Sequence, residues 1–147
     1  VDPRQFLDLA LILKNNHASP SSFRSTIGRA YYAAFNVGTK TLDEIGIRVG
    51  EGGAAHCTLR KCLASSKDDG LRDAERVLGQ LHSRRLRADY RMGDSATETL
   101  SEAEIACLEA RKVIEAFDDL LMNRLVKSAT IDAMKNYARN ILRLHVV

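Results

Sequence analysis

The sequence predicts an all-α protein, an up-and-down antiparallel bundle of five to six helices. Proline occurs only at Pro3 and Pro20, so little interrupts a long helix. Ala, Leu, Arg and Glu, all good helix formers, are plentiful. Apolar residues recur at steps of three and four along most of the chain, while strand-like alternation and internal repeats are not evident. With 147 residues, 45% of them apolar and 28% charged, the chain has material for one domain with a substantial core.

The elements follow in order. Asp2-Pro3 reads as an N-cap followed by proline at the first helical position. A first helix then runs to about Asn16, with Phe6, Leu9, Ala10 and Leu13 on one face. Ser19-Pro20-Ser21 breaks the chain, and a second helix runs from about Ser21 to Ile45, ended by Gly46. Gly50, Gly52 and Gly53 make the next stretch flexible. A shorter helix is expected from about His56 to Ala64, and a turn over Ser65–Gly70. A fourth helix runs from about Leu71 to Met92. After a polar loop, Ser101 and Glu104 suggest a capping box, with Leu100 and Ile105 as the hydrophobic staple of a fifth helix reaching about Val126. A last helix, about Ala129 to Leu144, carries Lys135, Arg139 and Arg143 as a basic stripe. Spare apolar faces predict pairing with a second copy of the chain.

The second helix is the one around which the others are expected to pack. Ile27, Tyr31, Ala34 and Phe35 form its apolar band, and Gly28, Ala30 and Ala33 allow neighbours to come close. Ser25, Arg29, Tyr32 and Asn36 make a polar line at i, i+4, i+7 and i+11, so this helix is expected to serve both a core and a polar groove. Polar groups beside a core need hydrogen-bond partners, since leaving one buried and unmet costs about 1–3 kcal/mol.

The fourth helix carries the charge. Residues 72–91 hold six arginines against three acids, as much net charge as the +3 of the whole chain. Such a segment attracts phosphate. Its core seam reads Leu71, Ala74, Leu78, Leu81, Arg85, Ala88, Met92, which puts a guanidinium in an apolar line. A carboxylate, backbone carbonyls or a ligand phosphate should therefore meet Arg85. His82 and Asp89, at three and four residues from it, share its face. A second face holds Arg76, Gln80, Ser83, Arg87 and Tyr90 or Arg91, all donors.

Several chemistries are not indicated. There is no phosphate-binding glycine loop, HExxH or GxSxG, and GEGG at 50–53 follows no strand. No cofactor or metal is called for: His56, Cys57 and Cys62 do not have standard zinc spacing. Three cysteines without a CxxC pair suit a reducing compartment, hence a cytoplasmic location. No apolar run approaches the roughly 20 residues of a membrane span, and the start of the chain does not read as a signal peptide. One scheme is physically reasonable: metal-free RNA cleavage, with His82 as acid or base and Arg76 or Arg85 stabilising the phosphorane.

RAYYAAF at 29–35, His56, RLRADY at 85–90 and SEAEIACLEARKVIEAF at 101–117 together resemble the HEPN domain family, and most of all its small stand-alone prokaryotic members with an Arg-x-x-Ala-Asp-Tyr signature. The resemblance spans about residues 5 to 120 and leaves the last helix outside. It implies a helical bundle that dimerises around a groove and acts on nucleotide or RNA. It also implies a small nucleotidyltransferase antitoxin as a partner, because many members are the toxin halves of such pairs. Several members are metal-independent ribonucleases with an Arg, four to six residues, then a His. Arg76-VLGQL-His82 fits that formula, although six helical steps turn 240° net and separate the two side chains. Where active members carry the motif, this chain has Arg85–Tyr90, with Ala88 or Asp89 in place of a histidine. The resemblance assigns the groove to Arg29, Tyr31, Tyr32, Arg85, Arg87, Asp89 and Tyr90. Two alternatives to a nucleotide- or RNA-binding module stand beside it: a ribonuclease toxin using His82, and a non-catalytic protein-interaction bundle.

Overall fold

A computed structural model describes residues 1–147, and the chain is all-helical. Its elements are α1 (Gln5–Asn16), α2 (Pro20–Glu44), α3 (Gly53–Ala64), α4 (Asp69–Tyr90), a 3₁₀ turn (Ser95–Thr97), α5 (Leu100–Met122) and α6 (Ser128–Asn140). The central position expected for the second helix holds: α2 packs against α5, α1 and α4, and α4 against α5. These four make the bundle. The shorter α3 lies on α4, and α6 lies on α3. No helix is long and apolar enough to cross a membrane.

Side-chain caps set the starts of three of the six helices. The Ser19 hydroxyl accepts from the Ser22 amide at 3.2 Å, with Pro20 in the first turn. Asp68 accepts from Leu71 at 2.9 Å, so α4 begins two residues earlier than its apolar seam. The fifth helix corrects the expected capping box. Thr99, not Ser101, is the N-cap, accepting from the Glu102 amide at 3.2 Å, and Leu100 is left exposed rather than stapled. Thr-x-x-Glu and Ser-x-x-Glu overlap here, and the helix starts at the earlier one, with the Glu102 carboxylate paired to Arg84 across the α4–α5 seam. At the N-terminus the expected cap is displaced: the regular helix starts at Gln5 with Arg4 before it and no side-chain cap, while Asp2 accepts from the Arg4 amide at 3.0 Å in the preceding turn. The helices also end sooner than their apolar patterns suggest. Met92, Leu125, Val126 and Ile141 lie beyond the ends of α4, α5 and α6 and are exposed.

The core is continuous through Ile27, Tyr31, Leu59, Leu78, Leu81, Phe117 and Leu120, all essentially without solvent contact. Each such side chain contributes about 1.5–3 kcal/mol on burial. Small residues set the spacing. A Cβ placed on Gly38 would meet the Phe117 ring at 2.7 Å and Leu59 at 3.0 Å, so α2 has no room there for any larger residue. After α6 the chain returns to the segment following α2. Arg48 donates to the His145 carbonyl at 3.1 Å and Val147 to that of Gly46 at 2.8 Å, forming a single antiparallel bridge, Ile47 to Val146.

Candidate phosphate cleft

The site grows out of the α2–α4 seam. Gly28 lies against the Asp89 carboxylate, where a Cβ would come within 3.2 Å of Oδ1. Tyr31 sits under Arg85, with Cζ 5.9 Å from the ring centre. The Tyr31 ring also stacks on His82 at 4.9 Å and 19°. Forward steps on α2 meet backward steps on α4, as antiparallel helices require. The expected face of His82, Arg85 and Asp89 therefore exists and points at Tyr31, with Arg85 Nε 2.8 Å from Asp89 Oδ2. Arg85 is not the buried guanidinium its place in the seam suggested. It is partly exposed, held by Asp89 and set between the faces of Tyr31 and Tyr90, the latter at 5.4 Å.

The deeply buried guanidinium is Arg24, which sequence reasoning passed over. Its Nε donates to Glu98 at 2.8 Å, Nη1 to the Ala88 and Arg91 carbonyls, and Nη2 to those of Met92 and Asp94. All five guanidinium N–H groups thus have an acceptor. They close the C-terminal end of α4, whose carbonyls have no helical partners. The signal was present: Arg24, Ile27, Tyr31, Ala34 and Gly38 are spaced by three and four, so Arg24 lies in an apolar line as Arg85 does.

At the other end of the seam α3 brings in His56, which lies in the first turn of that helix rather than opening it. Its ring lies 4.2 Å from Phe35, and 5.1 Å from His82 at 13°. Tyr31 Oη is 2.5 Å from His56 Nδ1. Burial pushes the Tyr31 phenol well above its ordinary range, against the opposing pull of Arg85 and Arg60, so the phenol keeps its proton. In the tautomer in which it donates that proton to His56 Nδ1, the ring proton sits on Nε2. Burial lowers the pKa of both imidazoles, helped for His56 by Arg85 and for His82 by His56, Arg85 and Arg60. Two neutral imidazoles therefore stand side by side, one of them hydrogen-bonded to Tyr31.

These rings edge a cleft of about 360 Å³ between α3 and α4, lined by His56, Cys57, Arg60, Lys61, Glu75 and His82. Arg60 is held in place from two sides. Its Nε and Nη2 both donate to Glu75 Oε1, at 2.9 and 2.6 Å. Its guanidinium also lies flat against Gly79, where a Cβ would fall 2.6 Å from Nη2. A glycine in the middle of a helix costs about 1 kcal/mol relative to alanine, and at this position it makes room for the Arg60 guanidinium. With Lys61 the cleft carries a net positive charge.

The remaining expected residues are scattered. Arg76 pairs with Asp73 at 2.7 Å, and Asp73 also meets Lys112 of α5, so Arg76 faces α5 and stands apart from His82. Arg87 pairs with Asp94 at 2.8 Å near the Arg24 end. The polar line of α2 faces outward. Ser25, Arg29 and Tyr32 are exposed, with the Arg29 guanidinium 5.6 Å over the Tyr32 ring. The three cysteines are free, with Cys62 and Cys107 buried. Burial pushes the Cys62 thiol up to about 11. The chain matches no protein-family model, no curated protein and no solved structure.

Proposed function

We propose that this chain is a HEPN-type nucleotide- or RNA-binding protein whose phosphate seat is the α3–α4 cleft. The observation that carries the reading is the His56–His82 pair beside Arg60 and Arg85. Neutral imidazoles and fixed guanidinium groups at a concave surface suit an anionic ester better than a neutral metabolite. In this reading the protein works in the cytoplasm as a homodimer, and a small nucleotidyltransferase holds it as an antitoxin would. The test is titration with labelled single-stranded RNA in EDTA. Wild type should bind, and Arg60→Ala should lose at least tenfold in affinity without loss of helical content. Equal binding by both proteins would remove the cleft from consideration.

A second reading, metal-independent ribonuclease, is favoured by the Tyr31–His56 bond, because it makes the two imidazoles unequal. His56 presents Nε2–H as a hydrogen-bond donor to a phosphate oxygen. His82 is free to take the proton of a ribose 2′-hydroxyl as that oxygen attacks the adjacent phosphorus. The same proton then passes from His82 to the departing 5′-oxygen. The products are a 2′,3′-cyclic phosphate and a 5′-hydroxyl, with the phosphorane charge met by Arg85 or Arg60. Cleavage in EDTA that yields these ends and is lost in His82→Ala supports this reading. Binding without cleavage leaves the protein as a binding module.

A further inference from the structure

We infer that a second cleft beside the first, of about 760 Å³, is a nucleobase subsite, so that the ligand is a single-stranded RNA rather than a mononucleotide. The inference rests on the phosphate seat proposed above. The two clefts meet at the start of α3. Phe35 and Ala55 line the larger one, His56 and Gly53 the smaller, and the Phe35 and His56 rings are 4.2 Å apart across the boundary.

Their chemistry differs. In the larger cleft Lys40 and Arg48 are balanced by Asp43 and Glu51, so it does not select a phosphate. Arg48 is tied to Asp43. Asn36 spends Nδ2 on the Tyr32 carbonyl at 2.8 Å, and Thr39 spends its hydroxyl proton on the Asn36 carbonyl at 3.1 Å. What these side chains have left is both acceptors, on Asn36, Thr39 and Glu51, and donors, chiefly the Lys40 ammonium. Beside them lies Tyr32, 44% exposed and braced edge-on by Phe6 at 5.2 Å. A flat ring with a carboxylate and an ammonium on its rim suits a flat ligand that carries donors and acceptors side by side. Guanine offers two adjacent donors on its pairing edge and fits best. Uracil has no amino group and fits worst.

The test compares uridine 5′-monophosphate, a uridine hexamer, and hexamers in which one guanosine is moved through each position, by equilibrium titration in EDTA. Hexamers should bind more tightly than the monophosphate, and one guanosine position should add about tenfold. Tyr32→Ala and the near-isosteric Glu51→Gln should each abolish that position's advantage while leaving the monophosphate affinity unchanged. Glu51 is exposed and its variant should melt with wild type, while Tyr32→Ala, which gives up the Phe6 contact, should keep wild-type helical content. A flat guanosine profile, or equal binding of monophosphate and hexamers, overturns the subsite and leaves the phosphate seat standing. Absence of binding to every probe removes both.

Discussion

The two ends of the α2–α4 seam are built from the same kinds of residue to opposite ends. At one end Arg24 of α2 is buried, and all five of its donors are spent on Glu98 and on carbonyls at the end of α4. Nothing is left over for a ligand. At the other end His56, Arg60 and His82 line an open cleft, with Tyr31 and Arg85 beside the two imidazoles. There Tyr31 and Glu75 hold one side of their partners and leave the other side unused. A polar side chain in an apolar seam is structural when its hydrogen-bonding capacity is exhausted inside the protein. It is a candidate for function when part of that capacity faces a cavity.

The largest effect should come from breaking the closed end. Arg24→Ala removes the partner of several carbonyls and leaves Glu98 without its cation, so we expect a loss of about 3 kcal/mol or more in unfolding free energy. Urea denaturation checks this through the midpoint, with an unchanged slope. Arg85→Ala, made at the open end, should cost under about 1 kcal/mol, because its pair with Asp89 is partly exposed. If the two variants were equally destabilised, the contrast between the ends would be lost.

His82→Ala should invert that pattern. The ring is partly exposed and stacks on Tyr31 without a hydrogen bond that the fold depends on, so stability should change by about 1 kcal/mol or less. If the cleft cleaves RNA, removal of the base should slow cleavage by about 100-fold or more. His56→Ala should raise KM or weaken binding more than it lowers kcat, since its proposed part is a hydrogen bond to phosphate.

The bundle was readable because helix period, proline placement and small residues along α2 all point the same way. The face of His82, Arg85 and Asp89 was readable for the same reason, since it depends on spacing within one helix. What escaped was everything that joins separate elements. His56 meets Tyr31 and His82 only because α3 folds back onto α4, and Arg60 meets Glu75 and Gly79 by the same fold. No spacing rule within a single helix reports such a meeting. Arg24 is a different failure: its place in the apolar line of α2 was visible, but the rule used on Arg85 was not applied to it. The Ser25–Asn36 line divides, since a polar stripe looks the same in sequence whether it faces a groove or water: Ser25 and Arg29 are open to solvent, while Tyr32 and Asn36 line the larger cleft.

The pH dependence of stability offers a smaller effect. Both cleft histidines have folded-state pKa values below the 6.5 of the unfolded chain, chiefly through burial. Between those two limits the unfolded chain binds more protons than the folded one, so stability rises with pH. Their contribution is complete above about pH 6.5 and is lost as pH falls through the folded-state values. Replacing both residues with glutamine should flatten the stability profile on the acid side of neutrality. Arg24→Ala should lower that profile without changing its shape. An unaltered acid slope in the double variant would mean that the two imidazoles are solvated rather than packed.

The smallest effect on stability is also the one that separates fold from function most cleanly. Gly79→Ala improves helix propensity by about 1 kcal/mol in the middle of α4. It also places a methyl group where Arg60 Nη2 now lies, 2.6 Å away. Because that atom is the end of a flexible side chain, the guanidinium can swing aside, giving up its paired bonds to Glu75. An ion pair this exposed is worth little to the fold, so the net change in stability should stay within about 0.5 kcal/mol, with either sign. Ligand affinity should nonetheless fall by the same factor as in Arg60→Ala, because the cation is no longer held over the cleft. If Gly79→Ala kept wild-type affinity, Arg60 would not be a seated phosphate ligand, and Gly79 would matter only for how closely α3 approaches α4.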